Sequence, residues 1–275
     1  MENFTRIAIS MTAICSNDDG SYKEWSIPTI DVADQLEVRA EGIQLNLSKD
    51  DLDALRSIDT PSMCNAIEHL RPVRTAFGFT TKPLLCIFPE LKPIVGYART
   101  ATISSIHPSG RAVEEETAVN LAYYRHMAEE PRPSIAVIED IDPLPGFGAW
   151  WGEVHTNMHK GLGSVGVVTN GSIRDIEQSA KEYQLIAGSV SPSHGFCHCV
   201  DWGKPVTVAG MRVCPGDIIH ADRHGAVVVP ANIVKAMPET VAKLAKEVSI
   251  MIGASKRSDF SCDVIERIMK GTTQH

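Results

Sequence analysis

The chain has 275 residues, of which 43% are apolar and 22% are charged, and its formal net charge is −8. This composition is typical of a globular protein with a substantial core, and it excludes an intrinsically disordered chain. A negative net charge without a cluster of lysine and arginine argues against binding to nucleic acid or to anionic membranes. No apolar stretch approaches the length of about 18 residues that a transmembrane helix requires.

The cysteines indicate a reducing compartment. Seven of them are scattered along the chain without a C-x-x-C motif, and we therefore expect reduced thiols in a cytoplasmic protein. The segment Ile7–Cys15 follows Arg6 and has the order of parts of a secretory signal. Because Ser10 and Thr12 interrupt its apolar character, we expect no secretion.

The N-terminal region differs from the rest of the sequence. Residues 1–48 are predicted to form an arm, because Trp25–Asn46 mixes short apolar and charged stretches without a helical period. We expect this arm to lie across the main domain or across a neighbouring subunit. Residues 49–275 are predicted to form one catalytic domain that closes with a C-terminal helix.

Helices and strands alternate along the main domain. Ser48 is predicted to cap a first helix that carries Leu52 and Leu55, and Thr60-Pro61 to open a second helix. The strands predicted next are Ile94–Ile103, Ser134–Glu139, Val165–Thr169 and Leu185–Val190. The predicted helices are Glu114–Met127, Val154–His159, Asp175–Tyr183 and a last helix over Ala231–Met251. Between them, Pro205–Pro230 is predicted as strands with turns at Pro215-Gly216 and His224-Gly225. This order predicts an α/β domain with a mixed sheet.

Two short motifs suggest functions that their context does not support. Gly161–Gly166 spells G-x-G-x-x-G, but these glycines follow a predicted helix and open a strand, the reverse of a dinucleotide-binding fingerprint. We therefore interpret Gly161 as a helix C-cap that leads into a tight turn. His155 and His159 share a helix face and could hold zinc, but Thr156 stands where a zincin has glutamate. A structural or interface role is favoured for both histidines.

The candidate catalytic and ligand-binding residues lie between Gly146 and Asp175. The glycine-bearing segment Gly146–Glu153 is predicted to be a loop that enters a helix, where free backbone N–H groups attract an anion. Glu153 and Arg174 are separated by 20 residues, and Arg174-Asp175 is predicted to follow a strand end at the start of a helix. Two simpler interpretations stay open, a surface ion pair for Arg174-Asp175 and an ordinary turn for the glycine loop.

These residue types suit the cleavage of a carbon–carbon bond beside a ketone. The reaction leaves an enolate, and Arg174 provides a permanent positive charge for the developing oxyanion. A single aspartate with several waters is a typical setting for Mg²⁺ or Mn²⁺, and Asp175 is the candidate ligand. Glu153 is the candidate group for activating a water molecule that carries the proton.

The pattern from Glu153 to Asp175 resembles the acidic-x20-Arg-Asp signature of the regulator of ribonuclease activity A (RraA)-like family. That family includes the 4-hydroxy-4-methyl-2-oxoglutarate and 4-carboxy-4-hydroxy-2-oxoadipate aldolases, which also decarboxylate oxaloacetate. The segment from Pro215 to Pro230 resembles the closing hairpin of this family, and the segment from Thr60 to Ala66 is a weaker match. The resemblance covers roughly residues 48–250.

The resemblance implies an α/β/β/α swivelling-type domain with a mixed sheet, assembled as a homotrimer or a homohexamer with the site between subunits. Arg174 would hold the pyruvyl unit and Asp175 the metal. The segment Ala149, Trp150, Trp151, Gly152 and Glu153 would bind a substrate carboxylate through backbone N–H groups. Because characterised aldolases carry aspartate at the position of Glu153, the longer side chain could change the preferred substrate. Asn65 replaces a common aspartate.

The function we predict is a divalent-metal-dependent lyase of the class II pyruvate aldolase or oxaloacetate decarboxylase type. It would cleave a bond beside a small 2-oxo acid through a metal-stabilised enolate. Two alternatives remain, a related lyase or hydratase that acts on a sugar acid and a non-catalytic protein that inhibits a ribonuclease. His194 and His198 are candidates either for contacting the distal part of a substrate or for a structural role.

Overall fold

The computed structural model describes residues 47–272 and, before them, four short strands. Contacts divide the chain into two units, Met1–Asn46 and Leu47–His275. In the first unit, β1 (Ala8–Ile9) pairs antiparallel with β4 (Ile30–Asp31), and β2 (Thr12–Ser16) with β3 (Tyr22–Ser26). Most of the aperiodic segment predicted over 25–46 lies outside the described residues, and the docking of the N-terminal arm stays a prediction.

The helices of the second unit follow the predicted order except in two places, the C-terminal region and a segment described below with the site. Their bounds are α1 (Lys49–Leu55), α2 (Thr60–Leu70), α3 (Val113–Met127), α4 (Glu153–Gly161), α5 (Met237–Ser255) and α6 (Cys262–Thr272). Ser48 caps α1 through a reciprocal capping box with Asp51. Asp59 caps α2 by accepting the N–H of Ser62 at 2.8 Å, and Pro61 stands in its first turn.

The C-terminal region departs from the single helix that the sequence predicted. Ala231–Ala236 form a 3₁₀ turn, α5 begins only at Met237, and a further helix α6 follows it. Pro238 lies in the first turn of α5, where its missing N–H costs no hydrogen bond. None of the helices in the described part of the chain combines the length and the apolar character needed to cross a membrane.

An eight-stranded mixed sheet forms the centre of the second unit. Its strands are β5 (Leu85–Cys86), β6 (Ile94–Ser104), β7 (Ser134–Asp140), β9 (Ser164–Thr169), β11 (Gln184–Ala187), β13 (His198–Trp202), β16 (Ile218–Asp222) and β17 (Gly225–Val229). Their order across the sheet is β17-β16-β6-β7-β9-β11-β5, and β13 pairs with the part of the β6 edge that β16 leaves open. The neighbours β6, β7, β9 and β11 are parallel, whereas β16, β13 and β5 pair antiparallel with the strands beside them. The predicted α/β class with a mixed sheet is confirmed.

Both faces of this sheet are covered, which explains why its strands are more uniformly apolar than a half-exposed strand. Along β7, Ala136 and Ile138 join a core cluster with residues of α3, whereas Ile135 and Val137 join a cluster on the opposite face. The second face is covered by the hairpin of β14 (Val206–Val208) and β15 (Met211–Val213). Two-sided burial is the rule for parallel strands, because crossover connections put other elements on both faces.

Helices α1, α2 and α5 cover the β16–β17 end of the sheet. Leu52, Leu55, Met63 and Ile67 are buried there with residues from both strands. Apart from this layer, a small parallel sheet is formed by β8 (Ala149–Trp151), β10 (Ser172–Ile173) and β12 (Ser189–Val190). The strand predicted over Leu185–Val190 is therefore two strands, since Gly188 separates β11 in the large sheet from β12 in the small one.

Candidate active site at the edge of the small sheet

The small sheet brings together the two segments that the sequence predicted to carry the chemistry. Strand β10 pairs parallel with β8, with Ser172 opposite Ala149 and Ile173 opposite Trp151. The N–H of Arg174 extends this pairing by donating to the Trp151 carbonyl at 2.8 Å. Because parallel strands end at the same edge, the start of α4 and the Arg174-Asp175 pair meet there.

The predicted glycine loop is partly wrong, because Ala149–Trp151 form strand β8. The N–H of Ala149 donates to the Ser193 carbonyl at 2.8 Å, so this group is occupied within the protein. The side chains of Trp150 and Trp151 are buried. The substrate-binding roles of Ala149, Trp150, Trp151 and Gly152 stay predictions, and the helix start at Gly152 is the part of the segment that faces Asp175.

Arg174 and Asp175 lie directly in front of the first turn of α4. Arg174 Nε is 3.5 Å from Asp175 Oδ2, and the two side chains are 36% and 40% exposed. The Glu153 N–H points to the same Oδ2 at 3.4 Å, a long and weak contact that places the carboxylate at the positive end of the helix. A charged pair with this degree of exposure is accessible to a ligand.

Gly152 makes this arrangement possible. A Cβ atom at this position would lie 2.6 Å from Asp175 Oδ2 and 3.2 Å from Arg174 Cγ. Its φ of −163° is ordinary extended backbone, which any residue can adopt. The reason for glycine here is therefore space for the carboxylate and not backbone freedom.

The helix predicted over Asp175–Tyr183 is wrong. Asp175 and Glu182 have φ of 51° and 57°, in the left-handed region that a right-handed helix does not use. The carbonyl of Asp175 accepts the N–H of Gln178 at 3.2 Å and the hydroxyl of Ser179 at 2.9 Å. A hydroxyl that bonds the backbone locally favours a turn over a helix. Asp175 therefore stands in a turn and not at a helix start.

A cluster of aromatic and imidazole rings packs between α4, α3 and β8. The Tyr123 hydroxyl is 2.7 Å from His159 Nε2, and His159 Nδ1 is 2.7 Å from the His155 carbonyl. Since a carbonyl only accepts, Nδ1 carries the proton and Nε2 accepts from the tyrosine. The rings of Trp150 and Trp151 pack against His155 and His159 with centroids 4.6 and 4.5 Å apart.

Burial keeps both histidines uncharged. It lowers the pKa of His159 to about 3, and together with the nearby Arg174 charge it lowers the pKa of His155 to about 4. His159 is buried and His155 is partly buried, and their structural or interface role stays the favoured interpretation. In the part of the chain that the structure describes, no three His, Cys, Asp or Glu side chains gather into a potential metal cluster.

The G-x-G-x-x-G segment joins α4 to β9. Gly161 is the last residue of α4, and Gly163 takes the left-handed turn with φ of 90° before β9 begins at Ser164. The expectation that Gly161 itself is the cap was therefore off by two positions. The segment joins a helix to a strand, and it lacks the strand-to-helix order of a dinucleotide fingerprint.

Two buried carboxylates that the sequence did not single out shape the approach to β8. Asp140, at the end of β7, accepts the N–H of Gly146 at 2.7 Å, and burial raises its pKa. Asp142 accepts the hydroxyl of Ser104 at 2.6 Å and the N–H of Ser105 at 2.7 Å. Their positions after a predicted strand were the available signal, since ligands and structural polar groups collect at strand ends.

A cavity of about 430 Å³ is lined on both sides of the α4 start, by Trp150 before Gly152 and by His155 after Glu153. It is lined from α3, from the β8–α4 segment and from the loop that holds His194 and His198. His155 and Cys197 line it, and the charge of Arg174 acts on the pKa of each. The contributions of Glu116, Asn120 and Tyr124 were missed, because no local sequence pattern relates α3 to a loop nearly 80 positions later.

The fold and this edge together define an α/β protein with a mixed central sheet and an Arg-Asp pair in front of a helix N-terminus. The family model described as "RraA-like: Aldolase/RraA" matches residues 60–228, and the chain belongs to this family. A Halalkalibacterium halodurans protein named "Putative 4-hydroxy-4-methyl-2-oxoglutarate aldolase" is 28% identical over 200 residues, which are 72% of this chain and 83% of that protein.

Solved structures agree on the fold. Streptomyces coelicolor RraAS2, described as an unusual member of the RNase ES inhibitor RraA protein family, superposes with a TM-score of 0.57 at 21% identity, covering 74% of this chain and 98% of that chain. A crystal structure described as novel cellulases from microbes associated with the gut ecosystem has a TM-score of 0.61 at 16% identity, covering 76% and 90%. The RraA-like fold expected from the sequence motifs is confirmed.

Proposed function

We propose that this protein is a lyase that cleaves a carbon–carbon bond beside the keto group of a small 2-oxo acid. The observation that carries the proposal is the meeting of Arg174, Asp175 and the first turn of α4 at one edge of the small sheet. Membership of a family that includes aldolases supports it, as does the name of the Halalkalibacterium halodurans relative.

Arg174 provides the charge that the reaction requires. When the C3–C4 bond of a 4-hydroxy-2-oxo acid breaks, its electron pair moves to C3 and forms the enolate of pyruvate. The 4-hydroxyl loses its proton as C4 becomes an aldehyde, and C3 later gains a proton. The guanidinium of Arg174 stays charged at any physiological pH, and its planar donors suit the carboxylate and enolate oxygens of the pyruvyl unit.

Glu153 is the candidate for handling the proton. It is exposed in the first turn of α4, on the same edge as Arg174 and Asp175. A carboxylate there can accept the hydroxyl proton directly or through water and return it to C3. Glutamate carries one methylene more than aspartate, so its carboxylate reaches further from the helix.

The residues at this edge fit a hard divalent cation. Asp175 offers a partly exposed carboxylate, in a cradle that a side chain at Gly152 would fill. Mg²⁺ is commonly held by one or two carboxylates with water completing its shell, so the three-residue cluster required for zinc is not needed. We propose that Asp175 holds Mg²⁺ or Mn²⁺. When bound, the ion would act as a Lewis acid toward the keto oxygen.

A coupled assay of pyruvate release from oxaloacetate tests this function. We expect turnover with Mg²⁺ or Mn²⁺, loss of turnover with a chelator, and loss in Arg174→Ala and Asp175→Ala. Oxaloacetate decarboxylates slowly by itself and metal accelerates it, so Arg174→Ala in the same metal buffer is the essential control. A rate for Arg174→Ala equal to that of the wild type would refute the assignment of the site.

We also propose that the protein works as a homo-oligomer in the cytoplasm, with another subunit close to the site. Large apolar side chains are exposed on the segments around the edge, among them Leu144, Phe147 and Val154. Exposed apolar side chains of this size mark interaction surfaces when they form a contiguous patch. Native mass spectrometry of the full chain would count the subunits, and a monomer would refute this part of the proposal.

A further inference from the structure

The polar groups that line the cavity at the start of α4 bear on which substrate the proposed reaction uses. Its volume of about 430 Å³ lies within the usual range of small-molecule sites. Trp150 lines it two residues before Gly152, and His155 lines it two residues after Glu153. A substrate held at Arg174 by its pyruvyl end would therefore extend its distal end into this cavity.

Glu116 contributes a carboxylate group to the cavity lining, and no lysine or arginine lines the cavity among the residues that the structure describes. Arg111 does not line the cavity, and its Nη1 is 3.2 Å from Glu116 Oε2 and 2.8 Å from the Cys199 carbonyl. The guanidinium of Arg111 therefore pairs with Oε2 and with a backbone carbonyl, and it partly offsets the charge of Glu116.

The carboxylate of Glu116 is held in place with one oxygen still available. Oε2 accepts both the Ser109 hydroxyl at 2.8 Å and the Arg111 guanidinium. Oε1 has no hydrogen-bond partner within the described residues. A carboxylate oxygen that is oriented but unpaired accepts hydrogen bonds from hydroxyl groups and repels another carboxylate.

The remaining polar groups of the cavity can donate or accept hydrogen bonds. The amide of Asn120 has no partner among the described residues. Burial raises the pKa of Tyr124 to about 12, so its hydroxyl keeps its proton. His194 and His198 each direct Nδ1 to a backbone carbonyl, at 2.7 and 2.9 Å, which leaves Nε2 of each ring free for a ligand.

We propose that this cavity binds the distal part of the substrate as a neutral, polyhydroxylated chain and discriminates against a second carboxylate, so that the substrate class is the 2-oxo sugar acids. The inference rests on the proposed function for its reaction, but its binding chemistry is independent of turnover. Hydroxyl groups would find an amide, a phenol, imidazoles and a carboxylate oxygen. A distal carboxylate would lose its water, face Glu116 and find no lysine or arginine in the described lining.

A matched pair of ligands tests the charge preference directly. D-Gluconate and D-glucarate differ at the end distal to the shared carboxylate, which is a hydroxymethyl group in one and a carboxylate in the other. Calorimetry at pH 8, where an ordinary imidazole is uncharged, would compare their affinities for the full-length protein with Mg²⁺. We expect D-gluconate to bind at least about tenfold more tightly, because a like charge next to Glu116 opposes D-glucarate.

Two variants of neighbouring residues separate the cavity from general charge effects. Glu116→Gln should bring the two affinities to within about threefold of each other, because it removes the repulsion. Glu115→Gln, an exposed position in the same turn of α3 that does not line the cavity, should leave the ratio unchanged. If Glu116→Gln fails to fold, Asn120→Leu should weaken D-gluconate binding about tenfold, since it removes an amide partner and adds no charge.

A separate NMR experiment tests the proposed reaction independently of ligand binding. It measures the exchange of the pyruvate C3 protons for deuterium, which requires enolate formation. Two results would overturn the cavity assignment: tighter binding of D-glucarate than of D-gluconate, or an affinity ratio that Glu116→Gln leaves unchanged. If proton exchange is observed alongside either result, the lyase proposal stays intact. A D-gluconate preference without exchange would support the cavity and count against the lyase. In the synthetic direction we expect pyruvate to add to D-glyceraldehyde faster than to glyoxylate, and a preference for glyoxylate would also overturn the assignment.

Discussion

The substitution Gly152→Ala isolates the position of the Asp175 carboxylate from the stability of the fold. The new Cβ would lie 2.6 Å from Asp175 Oδ2, whereas an ordinary contact begins at 3.4 Å. The carboxylate would therefore have to retreat by about 0.8 Å, and the Arg174 Cγ at 3.2 Å would also be crowded. Because φ at Gly152 is extended, the alanine backbone is not strained.

The retreat should affect function far more than folding. The atom that must move is the end of a side chain that is 40% exposed, so we expect a loss in the free energy of unfolding of about 1 kcal/mol or less. A displacement of about 1 Å at a reacting or metal-holding group typically costs on the order of 100-fold in rate. We therefore expect Gly152→Ala to lower kcat/KM about 100-fold and to weaken Mn²⁺ binding about tenfold.

Mn²⁺ affinity is measured by the electron paramagnetic resonance signal of the free ion, and stability by urea denaturation. Gly161→Ala is the matched control, because no atom lies within 4 Å of a Cβ at that position. Gly161 is the last residue of α4, whereas Gly152 precedes its first residue. Gly161→Ala should therefore preserve metal affinity and turnover. If Gly152→Ala bound Mn²⁺ and turned over like the wild type, the placement of Asp175 at the reacting centre would be refuted.

Three other predictions follow from the same geometry. Glu153→Gln should lower kcat while KM stays similar, because it removes a proton carrier from an exposed helix start; an increase in KM alone would contradict this role. Tyr123→Phe leaves His159 Nε2 without its donor at 2.7 Å and should cost about 1–3 kcal/mol in urea denaturation. The low folded pKa values of His155 and His159, about 4 and about 3, mean that the unfolded chain binds more protons below pH 6.5. The free energy of unfolding should therefore fall as pH drops from 6.5 through about 4, and a flat profile there would show that the imidazoles are not buried uncharged.

The elements with strong local signals were predictable from the sequence. Helix α2 has a proline in its first turn and apolar residues at helical spacing, and Met63, Ala66 and Ile67 are buried as that spacing predicts. The strands of the large sheet were recognisable as short apolar runs. The order of helix, glycines and strand around Gly161 was also predicted correctly.

The errors arose where tertiary contacts decide the local structure. Ile176, Ala180 and Tyr183 have helical spacing, but the chain turns at Asp175 so that its carboxylate reaches α4. Strand β8 is only three residues long and exists because β10 lies beside it. The cavity residue Glu116 belongs to α3, which reaches the site through packing that no sequence period records.

The Arg174-Asp175 edge and the cavity are coupled through α4. Its first residue, Glu153, faces Asp175, its third, His155, lines the cavity, and its seventh, His159, bonds Tyr123 in the core. A shift of this helix would move all three residues at once, so the buried Tyr123 contact helps to fix both the proposed proton carrier Glu153 and the wall of the cavity. If the cavity binds substrate as proposed, substrates of different distal length would have to be accommodated by changes on the α3 side, where Glu116 and Asn120 stand. Substitutions on that side would change specificity without displacing the proposed reacting centre.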